Sequence, residues 1–282
     1  MSVEILALSG ALGGEVTGMS LPRSLDTEAT EALREAFLRY HLLCVRSEPL
    51  SAEDLVAFSR VFGEAKPHVL KRRRREDVPE VATMESTYKA AENKPADLAT
   101  DRRSAWHTDD SYLEHPAKIT ILQALEVPDS GGQTRFCNTR QAFEDLSEDE
   151  QQRLDGLDAV HGYDTERAPA RAATRTQEEI DATPEVVHPL VRTHEDTGSK
   201  SFFFNPNRTD RVVGMERGES DQLLDWVYKT VTQDRYRYNH TWRTGDILVW
   251  DNRCTLHSVN MDFPVGQTRL HQRILIGGPR PR

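Results

Sequence analysis

The stretch Lys118-Ile-Thr-Ile-Leu-Gln-Ala-Leu-Glu-Val127, then Pro128-Asp-Ser-Gly-Gly132, then Gln133-Thr-Arg-Phe-Cys-Asn138, decides the fold. A run of β-branched and apolar residues is broken by Pro, Asp, Ser and two glycines before a second short run begins, which reads as strand, turn, strand. The same pattern recurs at His188 to His194, Lys200 to Asn205, Tyr236 to Arg243, Ile247 to Trp250 and Arg269 to Ile276. Asp196-Thr-Gly-Ser-Lys200 predicts a hairpin turn, and Thr244-Gly-Asp246 another. Many short strands without regular βαβ alternation predict a mainly β domain, an antiparallel sandwich or barrel with peripheral helices.

Helical signals lie mostly before these strands. Asp26 can cap a segment with Leu33, Phe37 and Tyr40 on one face, and Ser51-Ala-Glu-Asp54 resembles a capping box ahead of Leu55, Phe58 and Val61. Gly63 is expected to stop that second helix. A third helix is expected from Asp221 to Thr232, with Leu224, Val227 and Val231 aligned. Two polar stretches, 71–104 and 165–183, read as lid loops on a single domain spanning residues 1–282.

The 282 residues carry 36 basic and 46 acidic side chains, a formal charge of −10. That balance argues against nucleic acid as the partner, since phosphate binding needs a net basic face. No apolar run approaches the ~18 residues of a membrane span, and the first residues lack the basic leader of a secretory signal. Cys44, Cys137 and Cys254 are far apart and odd in number. A disulfide framework is therefore not expected, and a reducing cytoplasm fits.

Trp106-His107-Thr108-Asp109 sets an imidazole and a carboxylate two residues apart, which on a strand points both to one face. The spacing alone is weak, because His194-Glu-Asp196 repeats it. What separates them is a third ligand: a facial metal triad needs a second His brought in by the fold. His257 closes the apolar run Trp250-Asp-Asn-Arg-Cys-Thr-Leu-His257 and precedes a basic strand, whereas His194-Glu-Asp196 opens a predicted turn. His161, His188 and His240, in apolar strand contexts, read as structural histidines.

Seven blocks in order now resemble the taurine dioxygenase and 2,4-dichlorophenoxyacetate dioxygenase family of Fe(II)- and 2-oxoglutarate-dependent oxygenases. They are Gly13-Gly14-Glu-Val, Phe62-Gly63-Glu, Trp106-His-Thr-Asp109, Gly131-Gly-Gln-Thr134, His188-Pro-Leu-Val-Arg-Thr-His194, Trp250-Asp-Asn-Arg253 through His257, and Arg269-x-x-x-Arg273. The resemblance implies a double-stranded β-helix (jelly roll, cupin-like). It also implies His107, Asp109 and His257 as the Fe(II) ligands and catalytic centre, leaving three positions for a chelating 2-oxo acid and O2. Thr134 and Arg269 match the residues that hold the distal carboxylate of 2-oxoglutarate, which a hydroxyl and a guanidinium can satisfy together.

In the resembled family the second arginine, here Arg273, grips the acidic group of the prime substrate. The alternative for Arg273 is an ion pair with a nearby carboxylate. His68 matches a family histidine that also contacts the substrate, against a surface-loop reading. Arg103 stands where the taurine enzymes carry an Asn, Arg208 follows Phe204-Asn205 where the family can place an aromatic wall, and Tyr112 follows the metal-ligand stretch. The resemblance implies a small anionic substrate, and a pocket with these extra guanidinium groups need not hold taurine.

The implied activity couples decarboxylation of 2-oxoglutarate to hydroxylation, with or without cleavage of a carbon–heteroatom bond, in a homo-oligomer (dimer or tetramer). Two rivals use the same residues. A zinc hydrolase would leave Arg269 and Thr134 without a role, and a non-catalytic jelly-roll binding protein would have no need of a complete ligand set.

Overall fold

The structure is a computed structural model that describes residues 3–19, 21, 25–67, 74–87, 105–168 and 176–282. Its frame is an eight-stranded sheet whose order runs Glu4–Ala7, Gly14–Thr17, Leu42–Val45, Ile247–Asp251, Ala117–Glu126, Thr268–Gly277. Ala65–Lys66 and Ala82–Thr87 both pair with Thr268–Gly277. The pairings are antiparallel except where Gly14–Thr17 meets Leu42–Val45. A three-stranded sheet of Arg237–His240, Thr134–Asn138 and Thr255–Val259 lies opposite and completes the jelly roll.

Strand alternation sorts the side chains into two cores. Ile119, Ile121, Ile247, Val249, Ile274 and Ile276 face outward and are covered by the helices Thr27–Tyr40 and Ala52–Ser59 through Leu33, Phe37, Leu55 and Phe58. Full burial of each such side chain stabilises by ~1.5–3 kcal/mol. The other face, with Leu122, Ala124, Leu248 and Trp250, meets Phe136 and Trp242 inside the roll. Because Arg269, His271 and Arg273 share this inner face, Thr268–Gly277 delivers charged and polar side chains to the interior while its alternate residues hold the core. Helix Arg217–Val231 covers the back of the smaller sheets through Leu224, Val227 and Val231.

The first two helices begin as expected. Asp26 accepts from the Ala29 N–H at 2.8 Å and Ser51 Oγ from the Asp54 N–H at 3.1 Å, caps worth ~1 kcal/mol each. Gly63 corrects the expectation: the helix already ends at Ser59, and Gly63, at φ +142°, lies where a Cβ would come within 2.8 Å of Ile276. The positive φ and the close packing both require glycine there, and its N–H still donates to the Ser59 carbonyl at 3.3 Å. Thr244-Gly-Asp246 is likewise not a hairpin, since the strand before it belongs to the small sheet and the strand after it to the large one. Asp196 to Lys200 does join an antiparallel pair, Val191–Thr193 with Lys200–Phe202.

Within the expected lid stretch 71–104, Ala82–Thr87 is a strand paired along residues 268–273, so this portion is tied to the sheet. Residues 71–73 and 88–104, and 169–175 of the other stretch, lie outside the described residues. No helix among the described residues is long and apolar enough to cross a membrane.

Candidate active site

His257 lies in the small-sheet strand Thr255–Val259, and its backbone exchanges two hydrogen bonds with His107, at 2.9 and 2.8 Å. That single bridge corrects the expectation of a strand across 106–109. The chain turns directly after it, with Asp110 at φ +57° and anchored to Lys66 Nζ at 2.7 Å. The bridge sets the two imidazoles 4.1 Å apart between centroids, and the turn brings Asp109 beneath them. Ligand atoms of His107, Asp109 and His257 all lie within 4.8 Å of one another.

The donor chemistry fits a divalent metal. His107 Nδ1 is 2.9 Å from the Ala105 carbonyl, which can only accept. The proton is therefore on Nδ1 and the Nε2 lone pair is free for a metal. His257 Nε2 sits 3.9 Å from Asp109 Oδ2, and burial, reinforced by His107, pulls the His257 pKa down to about 3, so the ring is neutral. Burial alone would raise the Asp109 pKa. Arg273, then His257 and His107, then the Thr120 hydroxyl outweigh it and hold the carboxyl well below the usual range.

A hydrogen-bonded chain fixes Asp109 from behind. Trp250 Nε1 donates to Asn252 Oδ1 (3.0 Å), Asn252 Nδ2 to Thr120 Oγ1 (2.8 Å), and Thr120 Oγ1 to Asp109 Oδ2 (2.7 Å). Thr120 and Asn252 carry no metal-ligand signature in sequence, but Thr120 is a lone hydroxyl on the inner face of an apolar strand.

Arg269 and Thr134 meet as expected: Arg269 Nη2 donates to Thr134 Oγ1 at 2.9 Å, and Nε to the Gly132 carbonyl at 3.0 Å. Gly131 and Gly132, at φ +72° and +66°, make the turn that aims this carbonyl, and a Cβ on Gly131 would stand 2.6 Å from Asp262. Trp242 Nε1 also donates to Thr134 Oγ1, at 3.0 Å. The hydroxyl thus accepts twice, and its own proton is left to donate. Arg269 is 5% exposed, no carboxylate among the described residues pairs with it, and burial drags its pKa down to about 10. A buried guanidinium held this way calls for an anion.

Arg273 reaches Asp109 rather than open solvent, with Nη1 3.4 Å from Asp109 Oδ1 and its buried Nε without a partner among the described residues. Tyr112 packs edge-on against Tyr163 at 5.0 Å, and the Arg208 guanidinium lies 4.1 Å from the Tyr163 centroid and 5.5 Å from that of Tyr112. Tyr163 escaped the sequence reading because it follows a short strand with no motif of its own. His68 and Arg103 lie outside the described residues.

The second His-x-Asp motif is used structurally. His194 Nε2 is 2.8 Å from Asp251 Oδ2, and Asp196 takes Arg253 Nη1 at 2.6 Å. His161, His188 and His240 are packed among aromatic rings and hydrogen-bonding neighbours, as their context predicts.

Comparison with known proteins agrees with this geometry. Residues 4–275 match the family described as taurine catabolism dioxygenase TauD, TfdA family. An alpha-ketoglutarate-dependent 2,4-dichlorophenoxyacetate dioxygenase of Burkholderia sp. (strain RASC) is 29% identical, over 91% of this chain and 89% of its own. A taurine dioxygenase from Burkholderia xenovorans superposes with a TM-score of 0.84 at 28% identity, covering 100% of this chain and 91% of that one. The structure of AAD-2 in complex with Mn(II) and N-oxalylglycine gives 0.82 at 25% identity, covering 100% and 99%.

Proposed function

The chain belongs to the taurine catabolism dioxygenase TauD, TfdA family, and from that membership we propose that it hydroxylates a small anionic molecule gripped by Arg273. The enzyme class is a 2-oxoglutarate-dependent dioxygenase, with Fe(II), 2-oxoglutarate and O2 as its requirements. Iron, when bound, supplies the activation of O2 that couples 2-oxoglutarate decarboxylation to attack on a C–H bond.

The protein's own part is placement. His107 Nε2, Asp109 and His257 Nε2 would hold the metal, with the Trp250, Asn252, Thr120 chain fixing the carboxylate. Arg269 and Thr134 would take the distal carboxylate of 2-oxoglutarate, and the glycine turn at 131–132 lets the guanidinium be positioned before the ligand arrives. Arg273 supports an anionic substrate group next to the metal. Tyr112, Tyr163 and Arg208 would form the pocket wall, and His68 and Arg103 stay in the proposal on their sequence positions alone. The molecules for which these relatives are named, 2,4-dichlorophenoxyacetate and taurine, carry a carboxylate and a sulfonate, which favours the same substrate class here. We place the enzyme in the cytoplasm, where the three buried thiols would stay reduced, as a dimer or tetramer.

The observation that carries this reading is the buried Arg269, paired with a hydroxyl and a carbonyl but no carboxylate, on the strand that also brings Arg273 to Asp109. Anaerobic addition of Fe(II) and 2-oxoglutarate should give the weak visible metal-to-ligand charge-transfer band. Succinate release should then rise with sulfonates, aryloxyalkanoates or sulfate esters. Absence of the band overturns the cofactor assignment; acceleration only by neutral or cationic compounds overturns the substrate class.

A further inference from the structure

His271 lies between Arg269 and Arg273 on the inner face of Thr268–Gly277. It is fully buried, and among the described residues neither ring nitrogen has a hydrogen-bond partner. Few buried polar groups in a folded protein go unpaired, and each costs ~1–3 kcal/mol. An apolar residue would fill this place more cheaply unless something that binds later supplies the partner.

The surroundings name that partner. His271 packs edge-on against the Trp242 indole, centroids 4.5 Å apart, and the Arg269 guanidinium lies 5.8 Å from the same ring. The Trp242 N–H is one of the two that fix Thr134 Oγ1. Imidazole, guanidinium and hydroxyl therefore converge around a single indole. Opposite His271 in the neighbouring strand is Ala124, whose small side chain leaves the ring room on the inner face.

We propose that His271 is a third cosubstrate-positioning residue, its ring N–H donating to the distal carboxylate of 2-oxoglutarate beside Arg269 and Thr134. Burial, with Arg269 and His240 adding to it, keeps the imidazole neutral, so it offers one donor and adds no second charge. The inference rests on the placement of 2-oxoglutarate at Thr134 and Arg269 argued above. It extends that placement to a residue at an unspecified position of the Arg269-x-x-x-Arg273 block.

The test uses Zn(II)-loaded protein, which binds without turning over, titrated calorimetrically with 2-oxoglutarate and with pyruvate, which lacks the distal carboxylate. His271→Leu should raise the Kd for 2-oxoglutarate roughly tenfold, as expected for a hydrogen bond to a charged group at ~1.5 kcal/mol. It should leave pyruvate binding unchanged and the melting temperature no lower, because an unpaired polar group has been removed. His271→Gln, which keeps an N–H, should recover much of the loss. In the wild-type protein, which needs no variant to fold, the 15N resonances of the His271 ring should move with 2-oxoglutarate and not with pyruvate. An unchanged Kd in His271→Leu, equal weakening of both ligands, or still 15N resonances would each overturn the proposal. Arg269→Ala separates the two levels. If it leaves the Kd unaltered, the cosubstrate site itself is wrong; if it weakens binding while His271→Leu does not, only the role of His271 falls.

Discussion

Two buried clusters in this molecule are built from the same residue types, one around Asp109 and one around Asp251, and they differ in how their lone pairs are used. Asp251 accepts from the Arg253 backbone N–H (3.0 Å) and Nε (2.8 Å) on one oxygen, and from Arg253 Nη2 (2.7 Å) and His194 (2.8 Å) on the other. His41 beside it accepts from Arg140 Nε at 3.0 Å. Ligand atoms of His41, His194, Asp251 and Cys254 are as close together as those of the Asp109 cluster. Yet the carboxylate is saturated, and a metal would have to displace a bidentate arginine. Around Asp109 the only donors among the described residues are one hydroxyl and one arginine nitrogen at 3.4 Å, and two imidazoles face it. Unspent lone pairs, not the presence of His and Asp, mark the functional site.

The sharpest way to break this contrast is to remove each carboxylate in turn. Asp109→Ala should cut coupled turnover by more than about a thousandfold, since it removes a ligand from the metal that carries the chemistry. Without metal it should lose less stability than Asp251→Ala, since Asp109 gives up one hydroxyl and a single 3.4 Å contact to Arg273 where Asp251 gives up a bidentate arginine. Asp251→Ala should do the reverse: ~3–5 kcal/mol of stability lost, because Arg253 Nε and Nη2 and His194 Nε2 lose their buried acceptor while only Nη1 keeps Asp196, with metal stoichiometry intact in the folded fraction. Denaturant titration and metal analysis of both variants decide it. An Asp251→Ala protein that is stable but metal-free would show that the two clusters have been assigned the wrong way round.

A smaller effect should appear in the pH dependence of folding. Burial pulls the His41 pKa down to about 4 against the pull of Asp251, with Arg140 and His194 opposing its charge, and burial takes His161 down to about 3. Both are depressed bases, so below pH 6.5 the unfolded chain binds protons that the folded chain refuses. Their contribution is complete above about pH 6.5 and is lost as pH falls toward 4, at ~1.4 kcal/mol per pH unit for each ring. His41→Asn should remove one proton from that slope in urea unfolding between pH 4.5 and 7. An identical slope in the variant would mean that His41 is protonated in the fold, and its acceptor role toward Arg140 would be wrong.

The sequence reveals the Asp109 cluster far better than the Asp251 cluster, for a physical reason. Metal and cosubstrate ligands must be particular residues in a particular order, so His107, Asp109, His257, Thr134 and Arg269 stand out, and the structure brings them into two adjoining sets. Apolar alternation likewise marks Lys118 to Val127 and Arg269 to Ile276 as strands, close to their observed bounds. A short strand such as Leu42–Val45 is not legible, because four residues hold too little periodicity to separate strand from neighbouring helix or loop. Supporting residues are the least visible. Thr120, Trp242 and His271 act through whatever the fold sets beside them, and His271 could have been flagged only by noticing a polar residue on the inward phase between two arginines.

The smallest predicted effect concerns the two arginines that serve the two aspartates. Arg253 grips Asp251 through two nitrogens at 2.7 and 2.8 Å, whereas Arg273 makes one contact of 3.4 Å to Asp109 and keeps a buried Nε without a partner. The first is a structural clamp; the second has hydrogen-bonding capacity left for a substrate anion. With metal bound to take over the charge of Asp109, Arg273→Leu should therefore cost little stability and leave the Fe(II)/2-oxoglutarate absorption band in place. Apparent affinity for the anionic substrate should fall at least tenfold, the loss of a charge-assisted contact of ~1.5 kcal/mol or more. Slow succinate formation without substrate should persist, since the role proposed for Arg273 is to position the C–H bond and not to hold the cosubstrate. Loss of the band would move Arg273 into the cofactor site. A preferred substrate that is neutral, or that reacts equally well with the variant, would mean that the loose pair with Asp109 is all Arg273 provides, and the contrast between the two arginines would be one of geometry without function.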